Sequence, residues 1–163
     1  MARAFAEIAF TPSVRAVQAR QGSAAAYERV LAPEAERADR LGPEEAAFIA
    51  ARDGFYQATV SETGWPYVQF RGGPPGFLKV LDERTLGYAD FRGNRQYLSV
   101  GNLGRDDRVS LILMDYANRR RLKILGHARI IEAADDPALI EALHDPGYRA
   151  RPRGTMKTHL NMA

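Results

Sequence analysis

The spacing of apolar and polar residues changes character once along this chain. Over the first third, apolar positions recur at helical intervals. Thr11-Pro12-Ser13 is a helix start, with proline where its missing N–H costs nothing, and Gly22 closes the segment carrying Val14 and Val17. Ser23 caps a second helix through Tyr27, Val30 and Leu31, which Pro33 follows. Leu41-Gly42-Pro43 opens a third, whose Glu44 and Glu45 complement its positive end; it buries Ala47, Phe48 and Ala51 and stops at Asp53-Gly54. The charged run from Glu34 to Arg40 between them reads as a solvated connector.

From Phe55 the period becomes two. Tyr56, Ala58 and Val60 alternate with Phe55, Gln57 and Thr59, and the Glu62-Thr63-Gly64 turn leads into WPYVQF, which predicts a hairpin. The stretch from Arg71 to Gly76 is too rich in glycine and proline to pair in a sheet. A strand over FLKVL turns at Asp82 to Thr85 into LGYAD. A tight turn over Asp90, Phe91, Arg92 and Gly93 follows, then a short helix opening at Asn94 and Arg95 and running to about Leu103. Arg108 to Met114 and Arg120 to Ile131 are strongly strand-forming, and Asp135-Asp136-Pro137 caps a last helix through Leu143. The closing RPRGTMKTHLNMA carries no strand pattern.

The pattern divides the chain into a helical extension (1–46), a barrel domain (47–150) and an irregular C-terminal tail prone to disorder (151–163). The fold class expected is α+β, mainly β: five or six strands joined by tight turns in an antiparallel barrel or strongly curled sheet. No alternation of strand and helix suggests a Rossmann layout, and neither a GxGxxG nor a phosphate-loop motif is present.

Composition narrows the chemistry. With 163 residues and 45% hydrophobic content the chain suffices for one domain. It has no cysteine, which excludes disulfides and thiolate chemistry and fits a cytoplasmic protein. No stretch is long enough to span a bilayer. A net charge of +3 is too small by itself to argue for nucleic acid, and the aromatics are not interleaved with a basic run. The three histidines are far apart and lack carboxylate neighbours at ligand spacing, so no metal site is expected. No serine stands in a nucleophile elbow.

One stretch, YADFRGNRQYLSVGN from Tyr88 to Asn102, does suggest a ligand. A helix start beside a glycine, flanked by arginines, can converge backbone N–H groups and guanidinium forks on a phosphate. Partners could come from other strands. Arg121 and Lys123 project to one strand face, about 6.5 to 7 Å apart by the strand rise. Lys79 interrupts an apolar strand between Leu78 and Val80, and Arg71, at the start of the loop after the hairpin, reads either as a loop arginine in solvent or as a reach into the same pocket.

Several of these motifs, VSETGWPYVQ, RGGPPGF, DFRGNRQY and RRRLKILG, occur in an order similar to that of the pyridoxamine 5'-phosphate oxidase-like family of FMN-binding split-barrel proteins. The resemblance covers about half the chain, from Phe48 to about Ile131. It implies a six-stranded antiparallel split barrel, a homodimer, and FMN at the subunit interface. Arg71 and Lys79 resemble the basic residues that meet the flavin and its phosphate tail. Tyr88, Ala89, Asp90 and Phe91 resemble the strand end beside the flavin. Gly93, Asn94 and Arg95 resemble the phosphate seat, with Asn94 where the oxidases carry a second cation. Arg121 resembles the residue that reaches the flavin ring, a glutamine in the oxidases, and would place positive charge there.

The resemblance also implies a last strand and a closing C-terminal segment beyond Tyr148, for which the sequence offers no pattern. Turnover of pyridoxamine phosphate is therefore not expected. The function implied is a flavin-dependent oxidoreductase with a small-molecule redox substrate or NAD(P)H as partner. A flavin or haem carrier without turnover is the alternative, and a basic nucleic-acid-binding barrel a third.

Overall fold

A computed structural model of the protein describes residues 3–91, 93–148 and 152–162. The N-terminal part is helical: α1 (Arg3–Ala9), α2 (Pro12–Arg20), α3 (Ala24–Leu31) and α4 (Pro43–Ala50). The strands follow as β1 (Gly54–Val60), β2 (Pro66–Gly72), β3 (Lys79–Asp82) and β4 (Thr85–Phe91). After α5 (Leu98–Leu103) come β5 (Arg108–Asp115), β6 (Arg120–Glu132), α6 (Pro137–Leu143) and β7 (Pro152–Met162).

Two helix starts work as the sequence suggests, whereas Ser23 makes no side-chain cap bond and its hydroxyl donates back to the Gln18 carbonyl instead. The Thr11 hydroxyl accepts from the Val14 N–H at 3.4 Å and the Asp136 carboxylate from the Leu139 N–H at 3.0 Å, each occupying a donor that the first turn leaves unpaired. Gly42 has no side chain to offer, so its own N–H donates to the Glu45 carboxylate at 2.9 Å. No described helix is long and apolar enough to cross a membrane.

The strands form one antiparallel sheet in the order β2-β1-β5-β6-β7-β4-β3, seven where six were expected. The added strand is β7. Of the segment expected to be an irregular tail, residues 152–162 run between β6 and β4 and pair with both. Met156, Thr158 and Leu160 are buried while Lys157 is half-exposed and His159 exposed. A period of two is therefore present, but short and carried partly by a threonine. Pairing on both edges, rather than local propensity, holds the strand. Two glycines let the backbones close: a Cβ on Gly126 would lie 2.5 Å from the His159 carbonyl oxygen, and one on Gly154 would lie 2.7 Å from that of Ile131.

One face of the sheet builds the core from Phe55, Leu86, Leu111, Leu113, Ile124, Met156 and Leu160, with Phe77 stacked on Phe55 at 5.6 Å and Tyr88 edge-on to it at 5.3 Å. Burying each such side chain stabilises by about 1.5–3 kcal/mol. The other face is uncovered across β2, β1 and β5. Register places Phe70, Tyr56, Ile112 and Lys123 in one row across four strands. Phe70 is 58% exposed and Val68 59%, with Trp65 and Tyr116 exposed nearby.

Candidate functional site

The inward face of β2 carries Tyr67, Gln69 and Arg71. Helix α5 lies across it, tied down by two side-chain bonds: the Ser99 hydroxyl donates to Gln69 Oε1 at 3.1 Å, and Asn102 Nδ2 to the Thr59 hydroxyl at 3.0 Å. Between β2, the end of β4 and the start of α5 lies a cavity of about 180 Å³, lined by these β2 residues with Phe91, Gly93, Asn94, Arg95 and Ser99 among others.

The loop from Gly93 to Tyr97 is not the helix start that the sequence suggests. Asn94 Oδ1 accepts from the Gln96 N–H at 3.1 Å, and left-handed backbone recurs at Gly93 (φ 47°), Arg95 (φ 61°) and Tyr97 (φ 57°). Each such residue interrupts a right-handed helix, so α5 begins only at Leu98. Left-handed non-glycine residues are costly and concentrate where a loop is shaped for a ligand. Here Arg95 and Tyr97 both face the cavity. Arg92, which the sequence places in the preceding turn, lies outside the described residues.

Arg71 is the buried cation of this site, 15% exposed at its side chain. One end of its fork lies 3.4 Å from Asp90 Oδ1, whose side chain is fully buried, and its guanidinium sits 5.9 Å from the centre of the Tyr88 ring. Its Nε is buried and has no partner. An N–H in that position costs free energy until an acceptor is supplied. Arg95, exposed on the loop, is the second cation at the cavity. Asp90 shares the charge of Arg71.

The remaining sequence-predicted residues divide. Tyr88 is a core residue, 2% exposed, its O–H donating to Gln57 Oε1 at 2.6 Å. Ala89 is buried where β4 pairs with β7. Lys79 is half-buried on β3, paired with Gly87, and does not line the cavity. Arg121 and Lys123 are exposed on β6, with Leu122 and Ile124 turned the other way as alternation requires, and they line a different, larger cavity beneath the N-terminal helices. Within one chain the predicted cations are thus not one cluster. Gln69, Tyr67 and Ser99 were missed as lining residues. The first two were legible, because they share a strand face with Arg71 at spacings of two and four; Ser99 was not, because it arrives on a separate helix.

Among the described residues no group of three or more histidine, aspartate or glutamate side chains is placed to hold a metal.

Comparison with known proteins places this geometry. The sequence model for pyridoxamine 5'-phosphate oxidase matches residues 41–156. No curated protein matches the chain in sequence. Among solved structures, Group A Streptococcus HupZ superposes with a TM-score of 0.60 at 17% identity, over 74% of this chain and 89% of that one. A candidate pyridoxamine 5'-phosphate oxidase from Lactobacillus delbrueckii gives 0.56 at 23%, over 75% and 91%. General stress protein 26 from Bacillus anthracis gives 0.52 at 14%, over 72% and 87%. At these identities the structures speak for the fold alone. The sequence match spans more than half of the chain and the strand segments it covers form the sheet that carries the cavity; the chain belongs to the pyridoxamine 5'-phosphate oxidase family.

Proposed function

We propose that the chain binds FMN between two copies of itself and acts as a flavin-dependent oxidoreductase. The observation that carries this reading is Arg71, a buried guanidinium with an unpartnered Nε at a polar cavity whose loop is held in left-handed backbone. These residues fit an anionic, polyhydroxylated tail: Arg71 and Arg95 for the phosphate, and Asn94, Gln69 and Ser99 as neutral hydrogen-bonding groups.

The volume supports a second copy. About 180 Å³ is below the roughly 300–1,000 Å³ of pockets that enclose a whole small molecule, so the rest of such a ligand has to be covered elsewhere. The uncovered row of Phe70 and Tyr56, leading across the sheet to Lys123, is the surface we assign to the partner. Arg121 and Lys123 would then act on the flavin from the other copy. The same reading takes the sheet as an opened form of the split barrel. When bound, FMN would supply the electron transfer. The protein would hold its tail, exclude water, and present cationic charge that favours added electrons.

A non-catalytic carrier is favoured by one observation: neither a carboxylate nor an imidazole lines the 180 Å³ cavity among the described residues. Colour separates the readings from a protein without flavin. Purified protein, or protein given FMN, should be yellow and elute as a dimer. Arg95→Ala should weaken FMN binding by about tenfold or more, from the loss of charge-assisted hydrogen bonds worth about 1.5–3 kcal/mol. Folded, colourless protein that takes up no FMN overturns the proposal, and catalytic reduction of bound flavin by NAD(P)H or another donor separates enzyme from carrier.

A further inference from the structure

Residues before position 41 lie outside the family match, yet they build a cavity. Helices α1 and α3 and the segment around Ala38 border an open cavity of about 570 Å³ against β6, within the range of pockets that take small molecules. Phe5 and Val30 give it apolar wall, and Arg121 and Lys123 give it charge. Neither of these cations makes an ion pair among the described residues. Lys123 Nζ lies 5.9 Å from the Phe5 ring centre, so aromatic wall and cation are adjacent. Of the other charges at the wall, Arg3 donates to the carbonyls of Pro33 and Ala35 and pairs with Glu7, and Glu45, which accepts from the Gly42 N–H, stands with Glu36 as the opposing charge. Ala38 itself is left-handed, with φ 45°, although it is neither glycine nor asparagine. A strained residue at a cavity wall is a second sign that the wall is shaped for an occupant.

We propose that this cavity binds a small organic anion with a flat apolar body, its carboxylate, sulfonate or phosphate between Arg121 and Lys123 and its body against Phe5 and Val30. The binding stands on the cavity alone; its role rests on the flavin reading, under which the anion is the substrate class brought beside the cofactor. In that case the N-terminal extension, rather than the shared family fold, selects the substrate.

Anilinonaphthalene sulfonate, an aryl anion that fluoresces on binding, is the probe, titrated into the full-length protein. Saturable binding at one site per chain is expected. Arg121→Gln combined with Lys123→Gln should weaken it about tenfold or more, and Val30→Trp, which fills the cavity, should abolish it. Melting curves check that each variant is folded. The two polar substitutions are on exposed residues, so they remain informative if Val30→Trp does not fold. Binding that is absent in the wild type, or unchanged in the folded variants, overturns the proposal. Colourless wild-type protein that still binds the probe overturns the flavin reading and leaves this one standing, whereas the double variant, altered at residues assigned to both ligands, should lose both.

Discussion

Changing Tyr88 to Phe would remove one hydroxyl from the centre of the core, and the structure sets the cost. Tyr88 is 2% exposed; its O–H donates to Gln57 Oε1 at 2.6 Å and lies 3.0 Å from the Met156 sulfur on β7. Gln57 is fully buried, and its Nε2 already has no partner. Losing the hydroxyl strips the amide of its bond to Tyr88, and a buried acceptor left unmade costs about 1–3 kcal/mol. At roughly 2–4 °C per kcal/mol for a chain of this size, the melting temperature should fall by about 2–12 °C. Urea unfolding should show a lower midpoint with an unchanged slope. The companion variant, Tyr88→Phe with Gln57→Leu, removes both partners and should recover most of the loss. If Tyr88→Phe is as stable as the wild type, or if the double variant costs the sum of the two singles, the buried pair is not what holds this part of the core.

Two further outcomes follow from the geometry. Gly126→Ala would push a methyl to 2.5 Å from the His159 carbonyl oxygen, so it should destabilise by about 1–3 kcal/mol in urea unfolding; a neutral result would mean that β6 and β7 are not in this close register. The carboxyl of Asp106 is held at about 2, against an ordinary 3.8, chiefly by the Arg108 side chain that bonds it. Because the folded value is the lower one, its contribution to stability is present above the ordinary value and is lost as pH falls towards 2. Carbon NMR titration of the Asp106 carboxyl should show this low midpoint, and added salt should raise it because the pair is on the surface; a midpoint near 3.8 refutes the pairing.

The strands legible in the sequence were those with one buried face or a long apolar run. Phe55, Gln57 and Thr59 against Tyr56, Ala58 and Val60 gave β1, and the charged Arg121 and Lys123 against Leu122 and Ile124 gave the correct faces of β6. Two kinds of feature stayed hidden. Strand β7 carries Thr158 and His159 where a strand pattern needs contrast, so only its neighbours on both sides define it. Likewise, α1 opens in an unremarkable alanine-rich run and is fixed by tertiary contacts, among them Arg3 reaching the carbonyls of residues 32–35. For the site, the sequence identified the cations and the glycine loop but not their grouping. Arg71 and Arg95 meet at one cavity and Arg121 and Lys123 at another, because three-dimensional placement on β2 and β6 decides proximity. The left-handed turns at Arg95 and Tyr97 had no signal at all, since neither residue type favours that backbone.

The position of β7 also governs how the molecule can be made. It comes after the other six described strands in chain order, yet among the described residues it bridges two groups that have no other strand-to-strand hydrogen bonds between them: β2, β1, β5 and β6 on one side, β4 and β3 on the other. A nascent chain can form the first group and the β3–β4 hairpin separately, but β4 and β6 then present bare edges until residue 162 has left the ribosome. Placing β7 is therefore a non-local pairing on both of its edges, the kind of contact that slows folding. A chain stopped before Pro152 would lose the seam that joins the two pieces, and its open edges would invite pairing with other chains.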